Sequence, residues 1–157
     1  MIKKLRNFIA NSESELMKNG QHLRYESLVD VVRRNLTRVK WKHIKLSSRT
    51  KMSVKRAVEL CSKEVAHDLL QNSGNANDNV QLAAYIVNCS KLFNLLNNSS
   101  EVDSSSYHSL LSIMHWFDKW YDEVKKASTK QPNKRQHWKK FIPRITYKYF
   151  RTTPDVL

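Results

Sequence analysis

Glycine, proline and cysteine are all scarce, with two, three and two residues respectively in a chain of 157. So few glycines and prolines leave little turn chemistry for a many-stranded fold. With glycine only at positions 20 and 74, the Gly-x-x-x-x-Gly-Lys-Ser/Thr phosphate cradle cannot be written anywhere, so any nucleotide site must be built differently. Cys61 and Cys89 have no second ligand pair at zinc spacing and read as reduced core residues on helices. No segment approaches the roughly twenty apolar residues of a membrane span, and Met1-Ile2-Lys3-Lys4-Leu5 opens no signal-peptide run. The expectation is a soluble, intracellular chain with no membrane partner.

Acidic side chains are also few, fourteen against 28 Lys plus Arg, giving a formal charge of +14. The imbalance is uneven along the chain. Residues 1–57 carry +11, residues 58–118 carry −5 and residues 119–157 carry +8. Two basic ends around an acidic centre suit contact with a phosphate backbone, since each Lys or Arg near a phosphate releases counterions. The competing reading is solvated helix faces, and charge alone leaves RNA against DNA open.

What the chain has in quantity is Leu, Lys, Glu and Ala at helical spacing. Hydrophobic residues make up 40%, with four Trp and six Tyr, enough to fill the core of one modest domain. The expected fold is all-α, about five helices over residues 1–127, followed by a basic linker and tail over 128–157. The spacing predicts helices at 2–11 (Ile2, Leu5, Phe8, Ile9), 24–34 (Tyr25, Leu28, Val29, Val32), 51–71, 79–97 and 104–127. Ser12-Glu13-Ser14-Glu15 offers a capping box, Asn19-Gly20 closes a turn, and Ser47 and Ser48 can cap the third helix. In the fourth helix Leu82, Ile86, Cys89 and Phe93 form a stripe that Val80, Ala83, Ala84, Val87 and Leu96 widen, so it should be central. The fifth carries Leu110, Ile113, Met114, Phe117, Trp120, Tyr121 and Val124, a core stripe at this spacing.

No catalytic residue is assigned, because no two carboxylates fall in a motif that would bring them to one metal. No metal site is expected either: His108 and His115 lie about two turns apart, a spacing with no established ligand pattern. In the tail, Lys134, Arg135, Lys139 and Lys140 interleave with Trp138, a pattern suited to nucleic-acid contact through phosphates and base stacking. Lys125-Lys126 with Lys134-Arg135 also has the form of a split nuclear-import signal.

The most specific pattern runs from Arg38 to Ser62. Arg-Val-Lys-Trp-Lys-His-Ile, a basic connector with an aromatic, leads through a short polar break to Lys51-Met52-Ser53-Val54-Lys55-Arg56-Ala57. This resembles the insertion domain of the P-element-type DNA transposases, including the THAP-domain transposases, where His-Ile precedes a Lys-Met-x-Val-Lys-x-Ala helix start. Met1-Ile2-Lys3-Lys4-Leu5-Arg6-Asn7 is similar to that family's Leu-Ile-Lys-x-x-Arg-Asn. Asn19-Gly20, Arg24-Tyr25 and Leu92-Phe93-Asn94-Leu95-Leu96-Asn97 extend the likeness over about residues 1–100.

The resemblance implies a helical domain that binds GTP, with Mg²⁺, without a standard P-loop. Carried over position by position, the nucleotide-binding residues are Arg38, Val54, Ser62, Phe93 and Asn94. A guanidinium suits phosphate, a hydroxyl offers a hydrogen bond and an aromatic face suits the base. Asn94 stands where the family has Asp, and its amide offers one acceptor to guanine's two adjacent donors. Ser53 stands where the family has a basic residue. The resemblance further implies a transposase insertion domain that helps position DNA, lacks the family's catalytic carboxylates and zinc module, associates through a parent transposase and works in the nucleus. The alternative is a basic helical module for nucleic acid or protein that has lost nucleotide binding.

Overall fold

The computed structural model describes residues 1–12, 16–35, 38–72, 79–97 and 103–129. These residues are mostly helical and form an all-α fold: α1 (Ile2–Ile9), α2 (Tyr25–Arg34), α3 (Trp41–Ile44), α4 (Val54–Leu60), α5 (Lys63–Gln71), α6 (Val80–Asn97) and α7 (Ser104–Thr129). A 3₁₀ turn, Thr50–Met52, precedes α4. Between α1 and α2 sits a small antiparallel hairpin of β1 (Met17–Lys18) and β2 (Gln21–His22), with Met17 opposite His22 and Lys18 opposite Gln21. Its two-residue loop is Asn19-Gly20, at φ 50° and 73°. Both angles are positive, the geometry in which a two-residue loop matches the twist of its strands.

The third expected helix is two helices. Cys61 leaves helical geometry at φ −85°, ψ 63°, and Ser62 is extended at φ −122°, ψ 159°. The Ser62 hydroxyl accepts from the Val65 N–H at 3.4 Å, starting α5 afresh. Upstream, α4 is capped by Ser53, whose hydroxyl accepts from the Arg56 N–H at 3.3 Å. Ser47 instead closes the 3₁₀ turn, exchanging hydrogen bonds with Thr50 (Ser47 N–H to Thr50 Oγ1, 2.6 Å; Thr50 N–H to Ser47 Oγ, 3.2 Å). Most of the proposed capping box at 12–15 lies outside the described residues, as does the tail beyond 129.

The core gathers around α6, which packs against α1, α5 and α7. Leu82, Ala83, Tyr85, Ile86, Cys89 and Leu92 are its buried residues. Tyr85 is fully buried, and its hydroxyl donates to the Leu5 carbonyl at 2.9 Å, so the phenol is not left unsatisfied. Against it lie Phe117 and Trp120 of α7, edge-on at centroid distances of 6.4 and 5.8 Å. Such pairs contribute roughly 0.5–1.5 kcal/mol each beyond the area they bury. The hairpin is tied to α7: Trp120 Nε1 donates to the Met17 carbonyl at 2.5 Å, and buried Lys18 lies 3.6 Å from Glu123 and over the Trp116 ring.

Two polar ties hold the remaining helices. Arg34 of α2 pairs with buried Asp68 of α5 at 2.9 Å, and Asn72 Nδ2 donates to the same carboxylate at 2.6 Å. Asn79 Nδ2 reaches back to the Leu69 carbonyl at 3.3 Å, holding the start of α6 to the end of α5. Cys61 and Cys89 are buried free thiols, as expected, and belong to the same core cluster. Burial pushes the Cys89 thiol well above its ordinary value.

Candidate nucleic-acid interface

From Arg38 to Arg56 the sequence holds eight Lys or Arg and no Asp or Glu. Arg38, Lys40, Lys42, Lys45, Arg49, Lys51 and Lys55 are exposed, and Arg56 is half-buried. Trp41 joins them on the surface at 42% exposure, with Met52 at 65% and Val54 at 44%. Val39, His43 and Ile44, by contrast, are buried and anchor the segment. Four residues of helix thus turn one side to the core and leave the tryptophan among cations.

The scaffold beneath is unusual in its use of Arg6. Its side chain is fully buried in α1 and, among the described residues, has no carboxylate within salt-bridge distance. The guanidinium instead donates to the carbonyls of His43 (3.4 Å), Thr50 (2.7 Å) and Lys51 (3.3 Å), and through Nε to Asn7 Oδ1 (2.7 Å). Burial lowers its pKa from the ordinary arginine value. A rigid fork of five donors suits converging carbonyls where an ammonium would not. Arg6 therefore fixes the end of α3 and the 3₁₀ turn on either side of the 45–49 stretch.

His43 locks α3 to α4. Its Nδ1 accepts from the Lys40 N–H at 2.8 Å, which puts the ring proton on Nε2, and Nε2 lies 2.6 Å from Glu59 Oε2. The hydrogen bond from His43 holds the Glu59 carboxyl below the usual range, against a smaller opposing effect of burial, and Lys55 and Lys42 add to the lowering. Glu59, the first acidic residue after the basic segment, is engaged by His43.

The five residues carried over for a nucleotide are placed as follows. Arg38 is exposed just before α3, and Val54 is the exposed first residue of α4. Ser62 is half-buried, with its hydroxyl oxygen engaged as the cap of α5. Phe93 is half-buried against the core in the last turns of α6, and its neighbour Asn94 is exposed. α5, which Ser62 caps, packs against α6, the helix that carries Phe93 and Asn94. An open surface cleft of about 420 Å³ lies elsewhere, lined by Met17, Asn19, Gly20, Gln21, His22 and Arg24, and includes none of the five.

Lys134, Arg135, Trp138, Lys139 and Lys140 lie outside the described residues. His108 and His115 are exposed on α7, and among the described residues no group of three or more His, Cys, Asp or Glu is arranged to hold a metal. Among the described residues, too, no helix is long and apolar enough to cross a membrane. Sequence reasoning took 38–44 for a basic, aromatic-containing connector and missed the helical turn at Trp41–Ile44 that leaves Trp41 on the surface. The available signal was the split of Arg-Val-Lys-Trp-Lys-His-Ile into buried Val39, His43 and Ile44 and exposed cations. Comparison with known protein families, curated proteins and solved structures gave no match.

Proposed function

We propose that this chain is a non-catalytic, nucleic-acid-binding helical module whose contact face is the segment from Arg38 to Arg56. One observation carries the reading: eight cations without an acidic residue, seven of them exposed, on a backbone that Arg6 and His43 hold in place. Pinned cations neutralise phosphates at a smaller ordering cost than mobile ones. In the setting the resemblance implies, an insertion domain of a P-element-type transposase, the partner is DNA at transposon ends or target, and the place of action is the nucleus. In sequence, the tail adds the cations Lys134, Arg135, Lys139 and Lys140.

A second reading adds a guanine nucleotide, as the resemblance implies. It is favoured by the packing of α5, which Ser62 caps, against α6, which carries Phe93 and Asn94. The chemistry fits in part. Arg38 suits phosphate, and Ser62 retains its own hydroxyl proton to donate while its oxygen caps α5. Phe93 offers an aromatic face, but Asn94 meets only one of guanine's two donors. None of the five is a carboxylate, so Mg²⁺ would arrive on the phosphates.

The test is a titration of the purified full chain against a labelled DNA 20-mer across a salt series, beside a GTP titration with ATP as competitor. Binding to DNA that weakens linearly in log salt supports the module; no binding at low salt refutes it. Saturable GTP binding that ATP cannot displace supports the second reading, and its absence leaves the nucleic-acid module alone.

A further inference from the structure

We infer that Trp41 is a stacking platform for an unpaired nucleobase, so that the basic face prefers single-stranded nucleic acid to duplex. The inference rests on the nucleic-acid reading above and adds to it which form of the polymer the face selects.

Three tryptophans lie in the described residues, and they differ sharply. Trp120 is fully buried with its indole N–H bonded, and Trp116 packs edge-on against Phe117 and Trp120. Trp41 does neither. It is 42% exposed, lies outside the buried core cluster and meets no other aromatic ring of the described residues. Lys45 Nζ stands over its ring, 5.2 Å from the centroid. An exposed indole costs solvation and contributes little to the fold, whose anchors here are Val39, His43 and Ile44.

Its surroundings match one class of partner. Exposed Lys40 and Lys42 flank it in sequence, and exposed Arg38 lies three residues before it. Positive groove and aromatic platform together are how proteins hold single strands: phosphates meet the cations and a base stacks on the ring, with little regard to sequence. An intact duplex keeps its bases stacked inside and engages only the cations. The Lys45 ammonium already over the ring marks an electron-rich face open to a flat partner. A stacking base displaces Lys45 from the ring and frees it for the adjoining phosphate.

The experiment uses the full chain and three labelled probes at matched salt: oligo(dT), a mixed duplex of equal length, and an abasic strand with the same phosphates. Replacing exposed Trp41 leaves the fold intact, checked by an unchanged melting curve. Trp41→Ala is expected to weaken oligo(dT) binding about tenfold or more, with duplex and abasic-strand binding changed less than about twofold. Trp41→Tyr should recover most of the loss. Equal weakening on all three probes, or no effect on oligo(dT), overturns the stacking role while leaving the nucleic-acid module standing. Failure of the wild-type chain to bind any probe overturns both.

Discussion

Arg6 Nη2 donates to the Thr50 carbonyl at 2.7 Å across forty-four residues of sequence, joining the first helix to the turn that ends the basic segment. The same guanidinium reaches the carbonyls of His43 and Lys51. Replacing it leaves three carbonyls, one buried and two part-buried, short of a donor. Arg6→Met is expected to cost about 3 kcal/mol in urea denaturation, and Arg6→Lys much of that, since one ammonium cannot span the three acceptors. An Arg6→Lys protein as stable as wild type would show that the fork is dispensable.

The His43–Glu59 contact makes a pH-dependent contribution. Glu59 titrates lower in the folded chain than in the unfolded one, chiefly because of its hydrogen bond with His43. A carboxyl depressed on folding adds stability that is fully present above its unfolded value, about 4.3, and is lost as pH falls through the lower folded value. Glu59→Gln keeps an acceptor for the Nε2 proton but cannot titrate. Wild type should exceed Glu59→Gln in stability near neutral pH, and the two urea midpoints should converge below about pH 4. A constant gap down to pH 3 would contradict the assignment.

Ser62 separates two roles by substitution. As the cap of α5, Ser62→Ala should lose about 1 kcal/mol, while Ser62→Asn, a comparably good cap, should lose little. If Ser62 also touches a nucleotide, Ser62→Asn will weaken GTP binding without lowering the melting temperature. Unchanged GTP affinity in that variant confines Ser62 to capping.

Asn94 is exposed on the last turns of α6, so its substitution leaves the core untouched. With a guanine site beside Phe93, Asn94→Asp supplies a second acceptor and should tighten GTP binding about tenfold, with no gain for ATP. Fluorescence polarisation with labelled GTP reads the difference, and identical curves for both proteins would argue against the site.

Much of the helical architecture was legible because scarce glycine and proline and strong apolar spacing act locally. The stripes Leu82–Ile86–Cys89 and Leu110–Val124 are buried as their periodicity implies. What sequence spacing missed is mostly non-local or too short to have a period. Ser62 continues an amphipathic pattern in sequence, yet it is extended and its hydroxyl starts a new helix. The hairpin has strands of two residues, below any alternation signal, although Asn19-Gly20 is the preferred loop for it. Trp41–Ile44 is barely one helical turn. Arg6 counts as a surface charge in composition but is buried, since its three acceptor carbonyls are assembled by residues 43–51. Of the nucleotide residues carried over from the resemblance, Ser62 has a structural task that motif spacing does not reveal, and so has Ser53, where the family's basic residue is replaced by a cap.

The most direct measurement compares the wild-type chain with a variant in which Lys42, Lys45, Lys51 and Lys55, all exposed, are changed to Gln, by titrating both with the same DNA at several salt concentrations. If the segment from Arg38 to Arg56 is the contact face, the variant binds more weakly at low salt, and the slope of log affinity against log salt flattens by about 0.7–0.9 for each phosphate contact removed. Equal affinity and an unchanged slope in the variant would contradict the account and move the nucleic-acid contact off this face.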